Sequence, residues 1–211
     1  MIELADGTLQ LVVARASCRR SIVSVVRAAI EGGVDVVQLR EKECSTEERV
    51  AVARSLAAVT TEVGVGLLIN DDVEAARRLG AAVAGVHLGQ GDLPVDEARC
   101  RLGPAAWIGL STHSEGELAR GAATSATHFG LGSCFPTGTK RDASLLAHDD
   151  VRRACARVTR PLFAIGGITA ANVGSLVALG VRRVAVSTAI LSSDDPGAAA
   201  AAIRAVLAGR A

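Results

Sequence analysis

VVQLREKECSTEERVAVARSLAAVTTEVGVGLLIN, residues 36–70, is the stretch whose reading decides the fold. It opens on an apolar run, VVQLRE, and closes on a second, GLLIN. Between them, Ser45 followed by Glu48 fits a capping box, in which two side chains satisfy the free N–H groups of a helix start. From Glu47 to Val59 the apolar residues Val50, Ala53, Leu56 and Ala57 recur at helical spacing. A strand, a helix and a second strand form one crossover unit, and such a connection makes its two strands parallel.

The same alternation extends in both directions. Further β-like runs are LQLVVA (9–14), GVHLG (85–89), WIGLST (107–112), FGLGS (129–133), LFAIGG (162–167) and RVAVST (183–188). Each precedes a segment of helical character, so the chain holds eight strand–helix units. Ser114 with Glu117 fits a second capping box, and Asp195-Pro196 fits a cap with proline at the first helical position. Gly32-Gly33, Gly80 and Gly180 stand where helices should stop, and the alanine run 198–202 is a good helix former. Polar residues gather at the C-terminal ends of the runs: Gln38, Arg40 and Lys42; Asn70 and Asp71; His87 and Gln90; Ser111; Gly166-Gly167; Ser187. An open doubly wound sheet would spread these along an edge, whereas a barrel brings them to one mouth. The expected fold is therefore α/β, a single (β/α)8 TIM barrel, with residues 1–211 as one catalytic domain.

Composition narrows the partners. Apolar residues make up 49% of the chain and aromatics only 2%, so the core must be built from Val, Leu, Ile and Ala. A formal net charge of +1 argues against nucleic acid or a membrane surface as partner. No apolar run approaches the roughly 20 residues of a membrane-spanning helix, and MIELADGTLQ is acidic where a signal peptide is basic. A cytoplasmic protein is expected. Cys18, Cys44, Cys100, Cys134 and Cys155 are scattered without a CxxC pair, which reads as packing rather than metal or disulfide chemistry. Cys134 adjoins a candidate site loop and could be reactive. A homo-oligomer is compatible with a small barrel, although no interface signature stands out.

Four constellations carry the chemistry. Strand alternation sends Gln38, Arg40 and Lys42 to one side, where a guanidinium fork and an ammonium suit phosphate oxygens; the competing reading is a polar layer plugging the barrel. Asp71, in NDD (70–72), and Asp92, in GQGD (89–92), come from adjacent strand ends, and two carboxylates beside Arg and Lys suit Mg2+ with pyrophosphate. Helix capping is the alternative there, and it suits Asp72 better than Asp71. FPTGTK (135–140) supplies hydroxyls, a glycine and Lys140 ahead of a long connection to a helix near Asp149; a plain surface turn competes. AIGGITAAN (164–172) and AVST (185–188) stand where loops seven and eight of many barrels bind phosphate, with Thr169 as a helix cap. His87 and His113 fall near the mouth, while His128 and His148 have no evident partner. Two anion sites facing each other point to group transfer between phosphorylated substrates.

Taken in order, QLREK, INDD, GVHLGQGDLP, IGLSTHS, GLGSCFPTGTK, AIGGI and VAVST resemble the thiamine-phosphate synthase (thiamine-phosphate pyrophosphorylase) family over residues 38–188. The resemblance implies a transferase of thiamine biosynthesis. It would join hydroxymethylpyrimidine diphosphate to a thiazole phosphate, giving thiamin phosphate and pyrophosphate. It implies that Gln38, Leu39, Arg40, Glu41, Lys42, Asn70, Ser111 and Lys140 contact the pyrimidine diphosphate, with Arg40, Lys42, Ser111 and Lys140 catalytic. It implies Mg2+ on Asp71 and Asp92, and a thiazole phosphate against Thr137, Gly138, Thr139, Gly167, Val186 and Ser187. The chain departs from the family pattern at strand one, where LQLVVARAS lacks a tyrosine and an acidic residue. It departs again near strand six, with Thr127-His128 for an Asp-Tyr pair and Gly132-Ser133 for Gly-Pro, and after Lys140, where a glycine is missing. Two rivals remain: a thiazole tautomerase of the same superfamily, and a non-catalytic phosphate-binding regulatory barrel.

Overall fold

A computed structural model describes residue 4 and residues 6–137 and 144–209 of the chain. Eight parallel strands close into a barrel in sequence order: β1 (Leu9–Val13), β2 (Val36–Leu39), β3 (Gly66–Asn70), β4 (Gly85–Leu88), β5 (Trp107–Thr112), β6 (His128–Leu131), β7 (Leu162–Ile165) and β8 (Arg183–Val186). Seven of the eight runs read from the sequence hold one of them, and FGLGS starts one residue inside the eighth, β6. The barrel closes where β8 pairs with β1, with Leu9 opposite Val184 and Leu11 opposite Val186.

Helices cover the outside: α1 (Ile22–Glu31), α2 (Thr46–Glu62), α3 (Val73–Leu79), α4 (Val95–Leu102), α5 (Glu115–Ala122), α6 (His148–Arg157), α7 (Val173–Val177), α8 (Thr188–Leu191) and α9 (Pro196–Ala208). The two sides of each strand are buried in different ways. Outward residues such as Leu11, Leu39, Ile69 and Ile108 pack with helix residues such as Val50, Ala53 and Leu56 in one large aliphatic shell. Inward residues, among them Val12, Val36, Leu68, Phe163 and Ala185, fill the barrel interior. Burial on both faces explains why the strands read as nearly unbroken apolar runs rather than alternating ones.

The caps follow the sequence signals with two corrections. Ser45 and Glu48 form the full reciprocal capping box of α2, and Asp195 accepts from the Ala198 N–H at 2.9 Å with Pro196 in the first turn of α9. Ser114 does accept from the Glu117 N–H, but the Glu117 carboxylate turns instead to His113, taking its N–H at 2.8 Å and facing its ring Nδ1 at 3.1 Å. The box at α5 is therefore half made. Thr169 does not cap α7; Asn172 occupies that position and its Oδ1 accepts from the Thr169 N–H at 2.8 Å.

Candidate active site

The strand C-terminal ends open on a cavity of about 460 Å³, and a second, shallower hollow of about 380 Å³ adjoins it. Gln38, Arg40, Ser111, Thr137, Gly167, Val186 and Ser187 line the first; Glu41, Lys42 and Asp71 line the second, and Asn70 lines both. Residues from six strand ends thus meet at one rim, as the barrel reading required. Gly138, Thr139 and Lys140 lie outside the described residues.

Alternation along β2 carries one step past its end. The strand stops at Leu39, yet Arg40 lines the same cavity as Gln38 and its N–H still donates to the Val13 carbonyl of β1 at 2.8 Å, whereas Lys42 lines the adjoining hollow instead. The Leu39 side chain is fully buried in the shell against the helices, which leaves only its backbone near the rim. Glu41 ties the loop after β2 to the loop after β1 by accepting from the Arg15 N–H at 2.5 Å. Arg49, on the first turn of α2, holds the same loop from beneath. It donates to the carbonyls of Glu41 (2.7 Å) and Cys44 (3.3 Å) and forms an ion pair with Asp72. Asp72 is the N-cap of α3, accepting from the Ala75 N–H at 2.8 Å. Burial alone would raise its carboxyl pKa, but the Ala75, Thr46 and Arg49 donors outweigh that and hold it below the usual range.

Asp71 is different. It is the one non-glycine residue with positive φ among those described, at 64°, and its N–H donates to the His87 carbonyl at 2.9 Å. This conformation turns the chain between β3 and α3, and its carboxyl group hydrogen-bonds that of Asp92. Burial, then the bond to Asp92 and the Asp92 charge, push its pKa up to about 6, while Lys42 and Arg40 pull the other way. Asp92 also accepts from the Gly89 N–H at 2.6 Å, which fixes it at the end of β4. The two carboxylates expected to meet do so, and Lys42 and Arg40 are close enough to act on Asp71.

The interior beneath the rim holds polar residues that the sequence reading missed. Gln10 of β1 donates to Gln38 Oε1 at 2.9 Å, and Gln38 donates in turn to Asn70 Oδ1 at 3.1 Å, making an amide ladder across three strands. Ser111 Oγ lies 3.1 Å from His87 Nε2, and Gln90 donates to the Ser111 carbonyl at 2.7 Å. His128, which the sequence left without a partner, is fully buried 3.4 Å from His87 Nδ1. His148 is exposed at the start of α6. On the far wall, Gly166 and Gly167 both have positive φ, and a Cβ on Gly167 would overlap the Pro136 carbonyl, so the loops after β6 and β7 touch backbone to backbone. Cys134, beside this wall, is buried, and burial pushes its thiol up to about 11; it is packing, not a nucleophile.

A closed parallel barrel with cations, paired carboxylates and a glycine wall gathered at the C-terminal ends of its strands has the architecture of a barrel enzyme. Residues 9–190 match the sequence family described as thiamine monophosphate synthase. The thiamine-phosphate synthase of Haloquadratum walsbyi is 39% identical over 87% of this chain and 82% of its own length. That of Parasynechococcus marenigrum is 43% identical over 83% of this chain, which spans only 50% of that longer protein. The solved thiamine phosphate pyrophosphorylase of Pyrococcus furiosus superposes with a TM-score of 0.87 at 29% identity, covering 97% of this chain and 96% of that one. The chain belongs to the thiamine monophosphate synthase family, as a transferase of thiamine biosynthesis.

Proposed function

We propose that this mouth joins hydroxymethylpyrimidine diphosphate to a thiazole phosphate, releasing pyrophosphate and forming thiamin phosphate. The observation that carries the reading is the Asp71–Asp92 carboxyl pair, with Asp71 in the hollow beside the cavity and Arg40 and Lys42 close enough to pull its pKa down. The pair fits a hard divalent cation. Two carboxyl groups that share a hydrogen bond, one with its pKa pushed up to about 6, are relieved when a cation takes the place of the proton between them. No group of three or more His, Cys, Asp or Glu side chains fit to hold a metal occurs among the described residues. Water and diphosphate oxygens would complete the coordination, the usual arrangement for Mg2+. When bound there, Mg2+ supplies positive charge beside the leaving pyrophosphate.

The chain's own residues do the remainder. The bond between the pyrimidine methylene carbon and the diphosphate oxygen breaks, the electron pair leaves with pyrophosphate, and the thiazole nitrogen donates its pair to the methylene cation. No protein nucleophile is needed. Arg40 and Lys42, with Lys140 by family resemblance, stabilise charge as it builds on the leaving group. Ser111 holds the same substrate by hydrogen bonding, and the Gln38–Asn70 ladder presents the Asn70 amide to it. The thiazole phosphate is assigned to Gly167, Val186 and Ser187, with Thr137 and, from the family pattern, Gly138 and Thr139. Apolar walls from Val12, Phe163 and Ile165 keep water from the cation.

The test mixes purified protein with both substrates and Mg2+ and follows pyrophosphate and thiamin phosphate together. Stoichiometric release of the two is expected; tight binding of either substrate without product would replace catalysis with a regulatory role. Lys140→Ala is expected to lower the chemical rate more than it weakens thiazole-phosphate binding, and equal turnover in a single-turnover assay would remove it from the leaving-group site.

A further inference from the structure

Gln10 carries a polar atom that the contacts assigned so far leave unused. It points inward from β1 and is only 2% exposed. It stands in register with Val36 of β2 and Ala185 of β8, one layer further from the mouth than Gln38. Its Nε2 donates to Gln38 Oε1 at 2.9 Å, and Gln38 Nε2 donates to Asn70 Oδ1 at 3.1 Å. Gln10 Oε1 has no partner among the described residues, yet it is not sealed inside the protein, because the side chain lines the main cavity. Val12, Phe163, Ile165 and Ala185 line the same space. An amide oxygen taken out of water costs free energy unless a donor meets it. An open acceptor among apolar walls therefore suits a flat ring that carries an N–H at its edge.

Gln38 meets its two neighbours with different atoms, so turning any one amide around requires turning all three. The ends of the ladder thus have opposite polarity: one offers N–H groups, the other a carbonyl oxygen. Asn70 is the end that decides. It lines both the cavity and the hollow and precedes Asp71, where the diphosphate is assigned. An anion there attracts N–H groups and repels a carbonyl oxygen. Asn70 accordingly turns Nδ2 to the ligand and Oδ1 to Gln38, which leaves Gln10 showing an oxygen to the cavity. Of the two proposed substrates, the pyrimidine is the one with a donor on its ring, an exocyclic amine. One molecule then spans the ladder, its diphosphate at the donor end and its amine at the acceptor end.

We propose that Gln10 is a further substrate-binding residue, whose carbonyl oxygen accepts a hydrogen bond from the exocyclic amine of the pyrimidine and makes the site selective for an aminopyrimidine. This rests on the reading of the mouth as the diphosphate site. The experiment is calorimetric binding with Mg2+ present and thiazole phosphate omitted. Its ligands are the pyrimidine diphosphate and an analogue with hydrogen in place of the amine, and its proteins are the parent and Gln10→Met, which has a similar length but no amide. The parent is expected to bind the amine about tenfold more tightly than the analogue, the effect of one hydrogen bond. Gln10→Met should shrink that preference to less than about threefold, while binding pyrophosphate with Mg2+ as the parent does. A parent indifferent to the amine would overturn the proposal. So would a Gln10→Met protein that weakens both ligands equally, because Gln10 would then only hold Gln38 in place. Should this variant fail to fold, carbon-13 NMR of the Gln10 side-chain carbonyl in the parent decides. That signal should move downfield with the aminopyrimidine diphosphate and not with the analogue; equal shifts would sink the contact. Selectivity for the amine without thiamin phosphate synthesis would remove the functional reading and leave the contact standing, whereas synthesis by a protein indifferent to the amine would remove the contact only.

Discussion

At the scale of single residues, Asp71 combines a backbone that most side chains avoid with a carboxyl that burial and Asp92 disfavour as an anion. Asp and Asn enter the left-handed region at lower cost than other non-glycine residues. Asp71→Asn should therefore keep the turn while removing the charge. We expect the melting temperature to change by no more than a few degrees and Mg2+ affinity, measured calorimetrically with pyrophosphate present, to fall at least tenfold; an unaltered isotherm would take Asp71 out of the metal site. His128 gives a prediction with a definite sign. Its folded pKa is depressed, so below the ordinary imidazole value near 6.5 the unfolded chain takes up a proton that the folded chain refuses. Stability must fall as pH falls through that range, by up to about 1.4 kcal/mol per pH unit from this one group. Denaturant titrations at pH 6.5 and 5.0 should show His128→Gln losing less stability than the parent; parallel losses would mean that His128 charges in the folded state. The Asp71–Asp92 pairing was legible because both stand at strand ends where a barrel must bring them together. Gln10 and His128 were not, because both faces of a barrel strand are buried and no period marks which residue points inward.

At the scale of elements, the segment between β2 and α2 carries Arg40 and Lys42, and its shape is set from outside. Arg49 binds two of its carbonyls and pairs with Asp72 at the start of α3, with both side chains about nine-tenths buried. Losing one partner of a buried pair commonly costs about 3 kcal/mol or more. Arg49→Met should lower the melting temperature by roughly 10 °C and raise KM for the diphosphate substrate while leaving that for the thiazole phosphate unchanged. A rise in both, or in neither, would show that the loop does not depend on this anchor. The sequence offered no sign of Arg49, since a charged residue in the first turns of a helix is ordinarily solvated. Local signals were read well where the partners were adjacent, as in the Ser45–Glu48 box. They failed where a neighbour competed, as when His113 drew Glu117 away from Ser114. The alternation expected for Gln38, Arg40 and Lys42 held as far as Arg40 and failed at Lys42, three residues past the end of β2 at Leu39, where no ladder fixes the side-chain direction.

At the scale of the whole molecule, a barrel is only as sound as the seam where the two ends of its chain meet. The eight-unit rhythm of the sequence implied closure, but the residues that make the seam lie far apart and show no common pattern. β8 pairs with β1, α9 packs against α1, and Arg204 of α9 forms an ion pair with Asp35, whose carboxylate also takes the Thr8 N–H at 2.7 Å. Gly32, at the end of α1, lies so near α9 that a Cβ would overlap the Gly197 carbonyl and crowd the Ala200 methyl. Both crowding groups belong to the α9 helix or its first turn, and neither is the far end of a flexible side chain, so relief requires α9 to move away from the barrel. Gly32→Ala should then destabilise the fold by about 1–3 kcal/mol, the usual cost of overpacking. Because this end of the barrel is opposite the mouth, kcat and both KM values should stay at parental levels. Denaturant unfolding alongside steady-state kinetics separates the outcomes: a loss of activity without a loss of stability would mean that the seam and the mouth are coupled.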